Sequence, residues 1–173
     1  KPESQEICFV PSGDYRDLLQ KRLGSVHPAL EPGALVRTDG TVVGEHQGYA
    51  GFTVGQRKGL GGGFPEPMFV LEIRPDQREV VIGLHDELFS DTVTVAELNW
   101  LQGVPKQGIS VCVQLRYRTP AVPATISASG DKLELALDDP FAAVTPGQSA
   151  VVFDGDRVLG GGRILKAELA SHA

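Results

Sequence analysis

Cysteine, tryptophan, methionine and long apolar runs are all scarce in this 173-residue chain, and each scarcity removes a class of protein from consideration. Two cysteines, Cys8 and Cys112, cannot build the disulfide framework of a small secreted domain, and they lie too far apart to supply the close-spaced pairs of a structural zinc site. The four histidines are scattered singly, so no metal is expected. No stretch approaches the ~18 consecutive apolar residues of a membrane-spanning helix. The opening Lys1-Pro2-Glu3-Ser4 has neither the apolar core nor the small-residue cleavage site of a signal peptide. We therefore expect a cytoplasmic, monomeric protein without membrane association. Positive charge is also in deficit, with 16 basic against 22 acidic side chains and a net charge of −6. Bulk electrostatic attraction to nucleic acid is excluded on that balance, while local basic patches remain open.

Glycine and proline are plentiful, at 21 and 12 residues, and they punctuate short β-branched runs. ALVRT and TVVGEH flank Asp39-Gly40, a two-residue hairpin signature. The same pattern recurs around Pro75–Arg78, Ser129–Asp131 and Asp154–Asp156. One helix is expected over Asp14–Leu23, with Asp14 as its cap, Tyr15, Leu18, Leu19 and Leu23 on its apolar stripe and Gly24 at its end. A further turn is expected around His85–Phe89. These signals predict a mainly β chain of two small β-barrel-like domains, residues 1–91 with one short α-helix and residues 92–173, built from many short strands.

Few residues point to chemistry. The glycine runs GLGGGF (Gly59–Phe64) and LGGGRI (Leu159–Ile164) are not followed by a helix whose amides could hold a phosphate, so they read as tight bends. Gln56, Arg57 and Lys58 place an amide and two cations on a glycine-bounded loop where a phosphate chain could approach. Arg116-Tyr117-Arg118 combines two guanidiniums with an aromatic ring, able to pair phosphates and stack a base. A cross-strand charge pair with Asp138–Asp139 is the structural alternative. Cys8, beside Ile7, Phe9 and Val10, reads as either a small buried hydrophobe or a nucleophile. Cys112 alternates with Val111 and Val113, on the same strand face as Ser110 and Gln114, and reads as structural; a Cys8–Cys112 disulfide is its alternative. His46, His85, Asp14 and Asp17 read as hairpin or cap residues.

Taken together and in order, SQEICFVP, GEHQGYAGFTVGQRKGLGGG, LRYRTPAVPA and TPGQSAVVFDGDRVLGGGRI resemble the tRNA-specific 2-thiouridylase family over essentially the whole chain. The resemblance implies that these are the central and C-terminal portions of a longer enzyme, the second domain being similar to a translation-factor-type barrel. In the family an N-terminal domain with an SGG-x-DS loop binds ATP, and no such segment occurs here; this chain alone is expected to be inactive. The resemblance makes Cys8 the catalytic cysteine that carries a persulfide and delivers sulfur to the adenylated wobble uridine, with Cys112 uninvolved. It implies tRNA and a sulfur-donor relay protein as partners. Arg116, Tyr117 and Gln148 become RNA-binding residues, and Gln56, Arg57 and Lys58 are added as further contacts. A non-catalytic RNA-binding β-barrel module is the alternative function.

Overall fold

The computed structural model describes residues 18, 19, 21, 22, 24, 27–101 and 103–170. Leu18, Leu19, Lys21 and Arg22 are helical, and Gly24 takes the left-handed φ of 82° that suits the end of a helix. The rest of the expected helix, and Cys8, lie outside the described residues. The chain divides into two units, Lys1–Gly83 and Leu84–Ala173. The expected boundary at residue 91 falls inside the strand Phe89–Trp100.

In the first unit, β1 (Gly33–Val36) and β2 (Val42–His46) pair antiparallel, as do β3 (Phe69–Arg74) and β4 (Glu79–Gly83). Asp39 closes the first hairpin by accepting from the Thr41 amide at 2.8 Å, with Gly40 at φ 85°. The two hairpins join through a parallel pairing of β1 with β4, giving a four-stranded sheet in the order β2-β1-β4-β3. Leu35, Val70, Val80 and Ile82 are buried beneath it with Leu60 and Met68 from the intervening loop.

The second unit is a closed six-stranded barrel, in the order β10-β5-β8-β7-β6-β9. A 3₁₀ turn over His85–Leu88 leads into β5 (Phe89–Trp100). Then follow β6 (Ser110–Gln114), β7 (Val122–Ser129), β8 (Leu133–Ala142), β9 (Ser149–Asp154) and β10 (Arg157–Leu169). The hairpins expected around residues 129–131 and 154–156 are present as β7–β8 and β9–β10. Contrary to the expectation of short strands, β5, β8 and β10 run to 12, 10 and 13 residues. Their ladders shift register at several points. Each such bulge bends the strand around the barrel and resets which side chains face inward, so a long strand reads in sequence as several short ones. The interior is filled by Val93, Val95, Val113, Ile126, Leu133, Leu135, Val152 and Ile164.

The glycines at 160–162 lie within β10, where a Cβ would meet the Asn99, Ala150 and Ala96 carbonyl oxygens respectively. This close backbone approach agrees with reading LGGGRI structurally.

Candidate nucleic-acid interface

All neighbouring strands of the barrel are antiparallel, so successive connections alternate between its two ends. The β6–β7 turn and the β8–β9 loop therefore share one end, together with the start of β5 and the finish of β10. Arg116, Tyr117 and Arg118 lie on the first of these connections and Gln148 on the second. The topology thus brings together three of the residues singled out for RNA contact, Arg116, Tyr117 and Gln148, although some thirty positions separate Tyr117 from Gln148.

The β6–β7 turn is tied down from within. The Arg116 carbonyl accepts from the Thr119 amide at 3.3 Å and from Thr119 Oγ1 at 2.8 Å, and Gln114 Nε2 donates to the Thr119 carbonyl at 2.7 Å. Tyr117 and Arg118 occupy the two central positions of this turn. Tyr117 is 83% exposed, and the Arg118 guanidinium carbon lies 5.2 Å from its ring centroid, a cation–π pair. Arg118 is itself exposed and adopts φ 64°, where glycine is the usual occupant.

Arg116 behaves differently from Arg118. Its Nη2 donates to the Ala143 carbonyl at 2.8 Å and reaches the Ala142 carbonyl at 3.5 Å. The same Ala143 oxygen accepts from Thr145 Oγ1 at 3.2 Å. Ala143 is held at φ 55°, and its amide donates to the Leu88 carbonyl at 3.0 Å. Arg116 therefore joins the two connections by a side-chain clip. Asp138 and Asp139 are exposed, in the stretch of β8 that bulges away from β5. Among the described residues they form no ion pair with Arg116 or Arg118, so the alternative of a cross-strand charge pair is not realised. Gln148 is exposed, while its backbone stays in the sheet: its carbonyl accepts from the Ile164 amide at 2.7 Å.

The loop carrying Gln56, Arg57 and Lys58 belongs to the first unit. Gln56 is a loop clip: its Oε1 accepts from the Thr53 amide at 3.0 Å and its Nε2 donates to the Lys58 carbonyl at 2.8 Å. Both ends of the amide are engaged inside the loop. Arg57 and Lys58 are exposed and form no ion pair among the described residues. Arg57 borders an open cleft of about 360 Å³ whose other walls include Gly61–Gly63 and Glu66, with buried Leu60 and Met68 also lining it.

Cys112 follows the alternation read from its strand, half-buried between inward Val111 and Val113, and its thiol is free. His46 is buried; its Nδ1 accepts from the Gly48 amide at 3.1 Å and its Nε2 lies 3.2 Å from the Arg78 carbonyl. Burial pushes its pKa below the usual histidine value, with the Arg78 carbonyl partly opposing. That is a structural histidine of the β1–β2 sheet. His85 sits at the start of the 3₁₀ turn, with its ring edge-on to Phe89 at 5.7 Å. Among the described residues no cluster of three or more His, Cys, Asp or Glu is arranged to hold a metal ion, and no helix is long and apolar enough to cross a membrane.

Sequence reasoning read Arg118 as part of a phosphate-pairing triplet without setting it apart from Arg116, and it passed over Ala143. Arg118 was visible as the third member of a basic-aromatic triplet. Ala143 had no signal, because its contribution is a main-chain carbonyl.

Comparison with known proteins covers both units. Residues 16–84 match the family described as tRNA methyl transferase PRC-barrel domain. Residues 90–164 match the aminomethyltransferase beta-barrel domain. Among curated proteins, the tRNA-specific 2-thiouridylase of Carboxydothermus hydrogenoformans is 44% identical over 169 residues, covering 96% of this chain and 45% of that protein. Those of Rhodospirillum centenum and Acidithiobacillus ferrooxidans are each 46% identical, covering 97% of this chain and 44% and 48% of their own lengths. The chain thus spans about half the length of the curated relatives it matches.

Proposed function

Because this chain belongs to the tRNA-specific 2-thiouridylase family, we propose that it is the sulfur-delivering and tRNA-docking portion of such an enzyme, with the barrel end that carries Tyr117 and Gln148 facing the RNA. One observation carries the docking half of this reading. A ring 83% exposed, capped by a guanidinium at 5.2 Å, contributes nothing to the barrel core, yet suits an unpaired base, which every aromatic face can stack. Gln148 on the adjacent loop offers both a donor and an acceptor to sugar or base.

The chemical half rests on Cys8 and on the family pattern. Uridine's C2 oxygen is a poor leaving group until ATP, bound outside the residues of this chain, converts it to an adenylate. A persulfide on Cys8 is a soft nucleophile that attacks C2 through its terminal sulfur, and AMP departs with the oxygen. A second thiol then attacks the Cys8 sulfur, releasing the thiolated base and leaving a disulfide that an external reductant reopens. A hydroxyl cannot hold transferable sulfur. A separate relay protein supplies that sulfur, and the cytoplasm, which keeps thiols reduced, suits the cycle. Arg57 and Lys58 are secondary phosphate contacts in this scheme. Gln56 acts by shaping their loop.

The test uses the intact enzyme and a tRNA with uridine at the wobble position. Cys8→Ser is expected to abolish thiolation and leave tRNA affinity unchanged. Tyr117→Ala should weaken binding by about 1–3 kcal/mol with little change in salt dependence, the signature of lost stacking. Normal thiolation by Cys8→Ser would instead favour a non-catalytic RNA-binding barrel. Wild-type affinity in both Tyr117→Ala and Gln148→Ala, with the barrel folded, would turn this end away from RNA.

A further inference from the structure

The two arginines of the β6–β7 turn are alike in sequence and unlike in surroundings. Building on the docking reading above, we propose that Arg118 and Tyr117 together form the platform for one unpaired nucleobase and its adjoining phosphate, and that Arg116 is a positioning residue that fixes this platform to the Gln148 loop.

Three observations carry the assignment to Arg118. First, its guanidinium is exposed and has no carboxylate partner among the described residues, so its charge is available to a phosphate. Second, it lies over the Tyr117 ring at 5.2 Å, which restrains a long side chain before any ligand arrives and lowers the ordering cost of binding. Third, it stands at φ 64°, a conformation that costs a residue with a Cβ and that glycine would adopt freely. The turn is closed without it, by Thr119 and Gln114. Arg78, Glu97 and Ala143 share such a φ, but Arg78 and Glu97 spend their charges in ion pairs with Glu31 and Arg163; Arg118 instead lies on an exposed aromatic ring with its charge unspent, which suits a base and its phosphate.

Arg116 has the opposite character. It is half-buried, and its Nη2 is directed at the carbonyls of Ala142 and Ala143. Ala143 is left-handed at φ 55°, so the clip also holds a strained residue from which the chain proceeds to Gln148. A planar guanidinium suits this span; an ammonium on a flexible stem does not reproduce it.

The experiment compares Arg118→Ala, Arg118→Gly, Arg116→Ala, Arg116→Lys and Tyr117→Ala in the intact enzyme. It measures affinity for a wobble-uridine tRNA transcript across a salt series, and melting temperature without RNA. Arg118→Ala should weaken binding about tenfold, the size of one charge-assisted contact, and flatten the salt slope by about one unit. Arg118→Gly should lose the same affinity yet melt at a higher temperature than the parent, since the left-handed strain is relieved. Arg116→Ala should melt at a lower temperature and bind less tightly with the salt slope unchanged. Arg116→Lys should resemble it despite its retained charge.

Unchanged affinity and slope in Arg118→Ala, alongside a loss in Tyr117→Ala, would overturn the platform while leaving the docking reading intact. Full rescue by Arg116→Lys, with a flattened slope in Arg116→Ala, would make Arg116 the phosphate contact and overturn the division of roles. Wild-type binding by the Tyr117 and Arg118 variants alike would remove the docking reading itself.

Discussion

Each unit contains a run of three glycines, and the two runs have opposite physical causes. Around Gly61, Gly62 and Gly63 a Cβ would meet nothing within 4 Å, while Gly61 and Gly63 sit at φ 83° and 94°. Their loop needs backbone freedom. Along Gly160, Gly161 and Gly162 every added Cβ would run into a main-chain carbonyl of β5 or β9. There the barrel needs absence of bulk. One triplet is conformational and the other steric, and composition alone cannot tell them apart.

Breaking the steric triplet should have the largest effect. Gly161→Ala sets a methyl against the Ala150 carbonyl and the Val151 backbone, neither of which can swing aside as a flexible side chain would. A loss of about 3 kcal/mol, the upper end of ordinary overpacking, is expected. The chain's single tryptophan, Trp100, packs against the barrel core. Its fluorescence during urea unfolding therefore reports this unit, and an unshifted midpoint would contradict the crowding.

In the conformational triplet the cost should be smaller and of a different kind. Gly61→Ala forces a Cβ into left-handed backbone, worth roughly 1 kcal/mol, read as faster amide exchange at Val80–Ile82 of the adjoining core. Exchange at parental rates would mean that the loop shifts to another conformation at no cost.

Acid separates the units in another way. His46 has its pKa lowered by burial in the folded first unit, so folding favours its neutral form. The stability it contributes is fully present above its ordinary value near 6.5 and is lost as pH falls from there through the depressed folded value. Protonating Nδ1 also removes the acceptor for the Gly48 amide. Amide protection in β1 and β2, corrected for the slower intrinsic exchange in acid, should fall below pH 6.5 while the Trp100 signal holds, and His46→Gln should flatten that pH dependence. The smallest effect belongs to Gly62→Ala, at open space and without a left-handed φ. It should stay within about 0.5 kcal/mol, measured by the same exchange rates.

The contrast between the triplets also marks what a sequence discloses. Hairpins were legible because their causes are local: Asp39-Gly40 carries its own hydrogen bond to Thr41. The parallel pairing of β1 with β4 and the closure of β10 onto β5 were not, because they join segments with no shared local signal. The length of β5 was hidden by its polar outward residues and by Glu97 at φ 52°, where the strand breaks step. At the candidate interface the triplet Arg116-Tyr117-Arg118 was visible as chemistry, yet the division between its cations was not. That division depends on the carbonyls of Ala142 and Ala143, and a carbonyl is present at every position. Gln56 illustrates the reverse: its sequence shows an amide, while only the folded loop shows both ends of that amide engaged with Thr53 and Lys58.

Closure of the barrel by its last strand carries a consequence for synthesis. β10 lies between β5 and β9, so until Arg157–Leu169 has left the ribosome both neighbours present an open row of amides and carbonyls. A nascent or prematurely ended chain is then an incomplete ring whose two free edges can recruit strands from other molecules. Thirteen residues decide whether this unit is a sealed cylinder or a seed for association.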